Sequence, residues 1–360
     1  MNRMKSSTHT LVIGGGFAGA TAAQTLANAG VNVTLVDRKD YFEVTFAMLR
    51  NVTEFDAWQD KARVRYRDFV RGSFVQAGVV ELSTNKAWLD NGDEIGFEQA
   101  IIASGSSYSS LPIAKSTDAL TLDSRHQELQ TAAQSLAGAR SVLIVGGGAV
   151  GVELAGDIAY KYPLMKVTLA DANGTILKAY SKKTQRLALQ QLLDLRVDVK
   201  TERRFVSDGD SYVDAASGES IQADIVYVAV GVTPNSGFMQ KHFSNVLNKH
   251  GYIGVNEFYQ VQGTNNLYAV GDVADLPDLK LGALAAPQAR KLADNLIGQQ
   301  AGKKPKPHKP GPVMGLFPIG QQRGVAQLPF GTVTWKLIIN LKNKDMFIGK
   351  MLKDIGAPTP

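Results

Sequence analysis

Two runs of glycine carry the clearest chemistry in this 360-residue chain. Gly14-Gly15-Gly16-Phe17-Ala18-Gly19 follows the apolar run Thr10-Leu-Val-Ile13, and Gly146-Gly147-Gly148-Ala149-Val150-Gly151 follows Ser141-Val-Leu-Ile-Val145. The Gly-x-Gly-x-x-Gly spacing puts unpaired backbone N–H groups at the start of a helix, where the dipole favours negative charge. It also lets a pyrophosphate approach the backbone without meeting a Cβ. Each run is answered by an acid: Asp37 lies 18 residues after Gly19, and Asp171 lies 20 after Gly151. A carboxylate at that distance accepts both hydroxyls of a ribose. Two cradles imply two dinucleotides, and the economical pair is a flavin with a nicotinamide. Asp171 repels a 2′-phosphate and favours NADH, while Lys178, Lys182 and Lys183 downstream leave NADPH open.

Other chemistries drop out by composition. The chain has no cysteine, which removes disulfides, thiolate metal sites, iron–sulfur clusters and a redox-active Cys pair. The five histidines never fall at metal-ligand spacing, so no metal is expected. Gly298-x-x-x-Gly302-Lys303 is one residue short of a P-loop, and Gly105-Ser-Ser-Tyr-Ser109 lacks the second glycine of a nucleophile elbow. Glu153, two residues past the second cradle, reads either as a contact to the nicotinamide or as a carboxylate complementing the helix dipole.

The elements that hold these residues are β-α-β units. An Ala-rich helical stretch follows Gly19 and ends at Gly30 before Val33-Thr-Leu-Val-Asp37; the second copy, about 130 residues on, ends at Lys166-Val-Thr-Leu-Ala-Asp171. Further strand signals run into Gly105, Gly231 and Gly271, and a helix is expected near residues 285–297. The resulting fold class is α/β, with two Rossmann-like dinucleotide-binding domains plus a small C-terminal α+β region. Residues 1–120 and 254–302 form the first domain and 121–253 the second. A linker occupies 303–312, with His308 solvated in it, and 313–360 is the terminal region. Residues 335–341 read as a small buried strand, with an interfacial patch as the alternative.

Net charge is +6, but residues 301–360 hold ten Lys/Arg against Asp345 and Asp354, a net of +8. The first 300 residues hold 29 against 31. A basic end on a near-neutral body points to an anionic surface such as a membrane, or to a solvated tail. No aromatic-and-basic base-reading pattern is present, so nucleic acid is not an expected partner. No 18-residue apolar stretch and no targeting segment is visible, and Asn2 stands where myristoylation needs glycine. A cytoplasmic protein, in peripheral contact with membrane, is the expectation.

The order of motifs also carries a resemblance over nearly the whole chain. GGGFAG is followed by Ala103-Ser104-Gly105, then GGGAVGVE, then Val228-Ala-Val-Gly-Val-Thr-Pro-Asn235, then Thr264-x3-Tyr268-Ala-Val-Gly-Asp272. This resembles the two-dinucleotide-binding-domain flavoproteins, the superfamily of glutathione reductase and type II NADH dehydrogenases. Within it, Val36-Asp-Arg-Lys-Asp40, Ala47-Met-Leu-Arg50, Gly151-Val-Glu153 and Lys342-Asn-Lys-Asp-Met-Phe347 resemble the ferroptosis suppressor protein 1 family, also called apoptosis-inducing factor mitochondria-associated 2. The resemblance implies an FAD enzyme that oxidises NAD(P)H and reduces ubiquinone- or vitamin-K-type quinones.

Residue by residue, it implies that Gly14 to Gly19 hold the FAD pyrophosphate and Asp37 its ribose, with Arg38, Lys39 and Arg50 near the flavin nucleotide. Ala103, Ser104 and Gly105 form a turn against FAD, and Gly271 and Asp272 meet the ribitol. Ala286, Pro287 and Gln288 open the helix that faces the flavin pyrimidine, Pro287 suiting a first helical turn. The second cradle, with Glu153, Val230 and Gly231, places the nicotinamide. Lys342 and Phe347 form a quinone pocket wall, or else a surface lysine and a core phenylalanine. Ser104 stands where the family has Thr, and Pro287-Gln288 resembles the microbial dehydrogenases. A reductase of a ferredoxin or rubredoxin is the rival enzyme, and an apoptosis-inducing-factor-like binding module the rival outside enzymes. The terminal region also leaves a homodimer contact open.

Overall fold

The computed structural model describes residues 8–359, so the reading of Asn2 lies outside the described residues. Two parallel sheets share one design. The first half of the chain supplies β1 (His9–Ile13), α1 (Phe17–Asn28), β2 (Asn32–Asp37), α2 (Met48–Thr53), β3 (Ser73–Gln76) and β4 (Gln99–Ile102). The second unit has β5 (Ser141–Val145), α3 (Ala149–Lys161), β6 (Lys166–Ala170), β7 (Asp198–Lys200) and β8 (Ile225–Val228). The chain then returns to the first sheet through β9 (Leu267–Ala269) and α4 (Gly282–Gln300). Strand order is β9-β4-β1-β2-β3 in one sheet and β7-β6-β5-β8 in the other.

Both sheets are parallel throughout. Their central strands β1 and β5 are near-continuous apolar runs with four of five residues buried, as expected where both faces are covered. Small residues let α1 lie close over the first sheet: Ala18, Ala20, Ala22 and Ala23 are buried there. The third body is the expected small α+β region. A three-stranded antiparallel sheet, β10 (Gly315–Pro318), β11 (Gly324–Leu328) and β12 (Gly331–Val333), carries α5 (Lys336–Asn343) and α6 (Ile348–Asp354).

Three local expectations differ from the structure. Residues 335–341 are not a buried strand. Trp335 caps α5, and Trp335, Leu337 and Leu341 are exposed while Ile339 and Lys342 are buried. Apolar residues at every second position read as a strand, yet the helix turns Ile339 and Lys342 inward together, half-buries Ile338 and leaves Leu337 and Leu341 outside. Pro287 is not in a first turn: α4 begins at Gly282, five residues earlier, and Pro287 sits in its second turn. His308 is not solvated either, as its ring is held by Asp278 and Tyr259.

Candidate functional site

The two cradles are built alike, atom for atom. Gly14 N–H donates to Val36 O at 2.8 Å and Gly146 N–H to Ala170 O at 2.7 Å, which fixes where each strand turns into its helix. Both glycines hold a left-handed φ, +94° and +119°. A Cβ on Gly14 would run into Ala103 O, and one on Gly146 into Ala229 O. Gly19 and Gly151 each pack on the carbonyl of the first glycine in their run, with no room for a side chain. Gly16 and Gly148 look into open space, where an anion meets the helix N-terminus. In each cradle the acid closes the turn: Asp37 accepts from Gly15 N–H and Asp171 from Gly147 N–H, both at 2.6 Å. Asn173 also donates to Asp171, and Lys178 Nζ reaches Asn173 Oδ1 at 2.8 Å.

Their surroundings differ. A cavity of about 980 Å³ begins at Gly14, Gly16, Phe17, Ala18, Asp37, Arg38 and Lys39, and continues past Ala103, Ser104, Gly105, Gly271 and Asp272. It ends against Ala149, Val150, Glu153, Lys342 and Phe347. The first cradle therefore lines this cavity, with Gly16 exposed to it. Of the second cradle, Gly148, Val230 and Gly231 are exposed and do not line the cavity, which Ala149, Val150 and Glu153 on the helix and Val232 beyond Gly231 do reach. A cradle that lines a deep cavity suits a resident cofactor, and one outside it suits a dinucleotide that exchanges.

Glu153 and Lys342 meet where the cavity touches the second unit. Lys342 Nζ donates to both Glu153 oxygens at 2.7 and 2.8 Å and to Leu316 O at 3.2 Å. It also lies 5.9 Å from the centre of the Phe46 ring. Burial pushes the Glu153 carboxyl up, and Lys342 pulls it back down. One helical turn on, Arg50 donates to Asp157 at 2.7 and 3.2 Å and to Asn343 Oδ1 at 2.8 Å. Arg50, which the resemblance places near the flavin nucleotide, does not line the cavity. Its guanidinium is spent joining α2, α3 and the residue next to Lys342.

Ala286, Pro287 and Gln288 also stand apart from the main cavity, which meets α4 instead at Gly282, Ala283, Leu284 and Ala285. Gln288 acts from behind, its Oε1 accepting from Gly271 N–H at 3.1 Å. Gly15 backs onto the Tyr66 ring.

Sequence reasoning missed three groups. Lys115 Nζ is 3.2 Å from Asp272 Oδ2, and Ser106 Oγ donates to the same oxygen at 2.9 Å. Lys280 lines the cavity at the entry to α4, its amine pulled down by burial and donating to Ala274 O and Leu276 O. Asn235 knits the second unit to the turn at Ala103–Gly105: its N–H donates to Gly105 O, and its Nδ2 to Ser104 O. Only Asn235 stood in a motif; an isolated lysine in a serine-rich loop gives no signal.

A family model for pyridine nucleotide-disulphide oxidoreductases matches residues 8–293. The chain belongs to that family. Ferroptosis suppressor protein 1 of Xenopus tropicalis is 30% identical over 99% of this chain and 98% of the relative. Apoptosis-inducing factor homolog B of Dictyostelium discoideum is 31% identical over 97% of each. Among solved structures, the sulfide:quinone oxidoreductase of Aquifex aeolicus superposes with a TM-score of 0.79 at 16% identity, covering 98% of this chain and 93% of that one. NDH2 of Plasmodium falciparum in complex with NADH gives 0.76 at 13%, covering 97% of each. The family makes the chain an NAD(P)H-dependent oxidoreductase that binds FAD and NAD(P)H. The cavity fits that cofactor, having an open position at Gly16, a carboxylate at each end of the nucleotide path, and the volume for a dinucleotide. With no cysteine, this member has no dithiol to receive the electrons.

Proposed function

We propose that the chain is an NADH:quinone oxidoreductase acting on a ubiquinone- or vitamin-K-type quinone. The observation that carries this reading is one continuous cavity lined both by the first cradle and by an apolar wall of Phe46, Met314, Leu316, Phe317 and Phe347. A flat, apolar acceptor fits such a chamber, whereas a folded protein acceptor needs an exposed docking face instead. Bound FAD supplies the two-electron chemistry between nicotinamide and acceptor.

The chain's own residues supply position and charge. Gly14 to Gly19 and Asp37 would hold the nucleotide end of FAD, and Asp272, itself held by Lys115 and Ser106, would hold the ribitol. The second cradle admits NADH, with Asp171 disfavouring a 2′-phosphate. Lys342 holds a proton and a positive charge at the chamber wall, and Glu153 keeps that ammonium in place.

The terminal region supports peripheral contact with anionic membrane. Phe330, Trp335, Leu337 and Leu341 are exposed beside Lys336 and Lys344, and exposed Met314 also lines the cavity. Among the described residues no helix is long and apolar enough to cross a membrane. The deciding experiment gives NADH to the FAD-loaded protein with either a short-chain quinone or a ferredoxin as acceptor. Turnover on the quinone is the expected result, and turnover on ferredoxin alone would replace the reading with its rival.

A further inference from the structure

The connector at 303–312 is fastened along its length. Lys303 N–H donates to Gly298 O at 2.8 Å, and Lys306 and Asn295 exchange two hydrogen bonds of 2.9 Å. His308 N–H donates to Glu257 O at 2.6 Å. The His308 side chain is only 11% exposed and lies between Tyr259 Oη, 2.9 Å from Nδ1, and Asp278 Oδ2, 2.5 Å from Nε2. Burial pushes the Tyr259 phenol far up, so its hydroxyl stays intact beside Nδ1. The Asp278 carboxylate accepts only, so Nε2 carries the hydrogen it shares with Asp278.

The same Asp278 oxygen accepts from Gln288 Nε2 at 3.2 Å, and Gln288 Oε1 accepts from Gly271 N–H. The chain of contacts therefore runs from Tyr259 through His308, Asp278 and Gln288 to the amide that precedes Asp272. Gly271 holds a left-handed φ of +74°, so its amide direction decides where Asp272 points into the cavity.

We propose that His308 is a positioning residue for the cofactor. Through Asp278 and Gln288 it sets the Gly271–Asp272 turn, and so links the attachment of the connector to the grip on FAD. This rests on the placement of FAD in the main cavity, and is independent of which acceptor the enzyme uses.

The test measures the FAD dissociation constant and the visible circular dichroism of bound flavin. His308→Ala should weaken FAD about tenfold and alter the flavin signal, as expected for losing a hydrogen bond to a charged group. His308→Gln, which keeps a donor, should recover most of the affinity. Asn295→Ala loosens the same connector without touching Asp278 and should leave FAD unchanged. Asp278→Asn keeps the loop's shape and serves if His308→Ala fails to fold; it should weaken FAD in the same direction.

Equal effects of Asn295→Ala and His308→Ala would overturn the role, since the connector would then matter only as structure. So would unchanged affinity in both His308→Ala and Asp278→Asn. Asp272→Ala separates the two levels. If it weakens FAD while His308→Ala does not, the positioning role alone fails; if it too is silent, the cofactor placement fails and takes the role with it.

Discussion

Removing Lys342 would leave the buried Glu153 carboxylate without the cation that hydrogen-bonds it, Arg50 acting only from farther off, an arrangement that costs about 3 kcal/mol or more. The consequence depends on pH. Burial raises the Glu153 carboxyl above its usual value near 4.5, and the loss of Lys342 removes the main force that opposes it. The folded variant then holds a proton that the unfolded chain releases above about pH 4.5, so folding is favoured at low pH and stability falls as pH rises through the elevated value. Lys342→Met should lose more melting temperature against wild type at pH 8 than at pH 5, and Glu153→Gln added to it should flatten that difference. A loss independent of pH would mean that Glu153 is not the group left behind. Each partner was legible alone, through the resemblance. Their pairing was not, because 189 residues separate them and only the tertiary fold closes that gap.

At the scale of elements, the glycines of one cradle should separate into two kinds. Gly16 begins α1 at φ −64°, a value any residue adopts, and a Cβ there meets nothing within 4 Å. Gly16→Ala should therefore fold with wild-type stability and lose FAD, because the methyl takes the place of the pyrophosphate. Gly19→Ala must push strand and helix apart and should unfold the protein at lower temperature whether or not FAD is present. A Gly16→Ala protein with normal FAD affinity would contradict this reading of the open position. The cradles were readable because glycine spacing, strand and acid all lie within about 30 residues of sequence. Residues 335–341 were misread for the opposite reason: their outward apolar face makes no sense as core packing, and alternation was the only pattern left to follow.

For the molecule as a whole, the duplicated sheets were legible and the way the terminal region meets them was not. Ion pairs from α3 tie the second unit both to α2 and to α5, through Arg50 and Lys342, so all three bodies converge at the cavity wall. Truncating the terminal region would break that wall, and point changes on its outer face are the cleaner probe. Leu337→Glu with Leu341→Glu should abolish flotation with anionic vesicles at moderate salt while leaving reduction of a soluble quinone intact. Undiminished flotation would remove the membrane contact from this face. The central claim is that one cavity carries electrons from NADH to a quinone. Its most direct test is the absorbance spectrum of the FAD-loaded protein under anaerobic conditions, with NADH added first and a soluble ubiquinone analogue second. The flavin bands should bleach with NADH and return with the quinone; bands that bleach and stay bleached would contradict the claim.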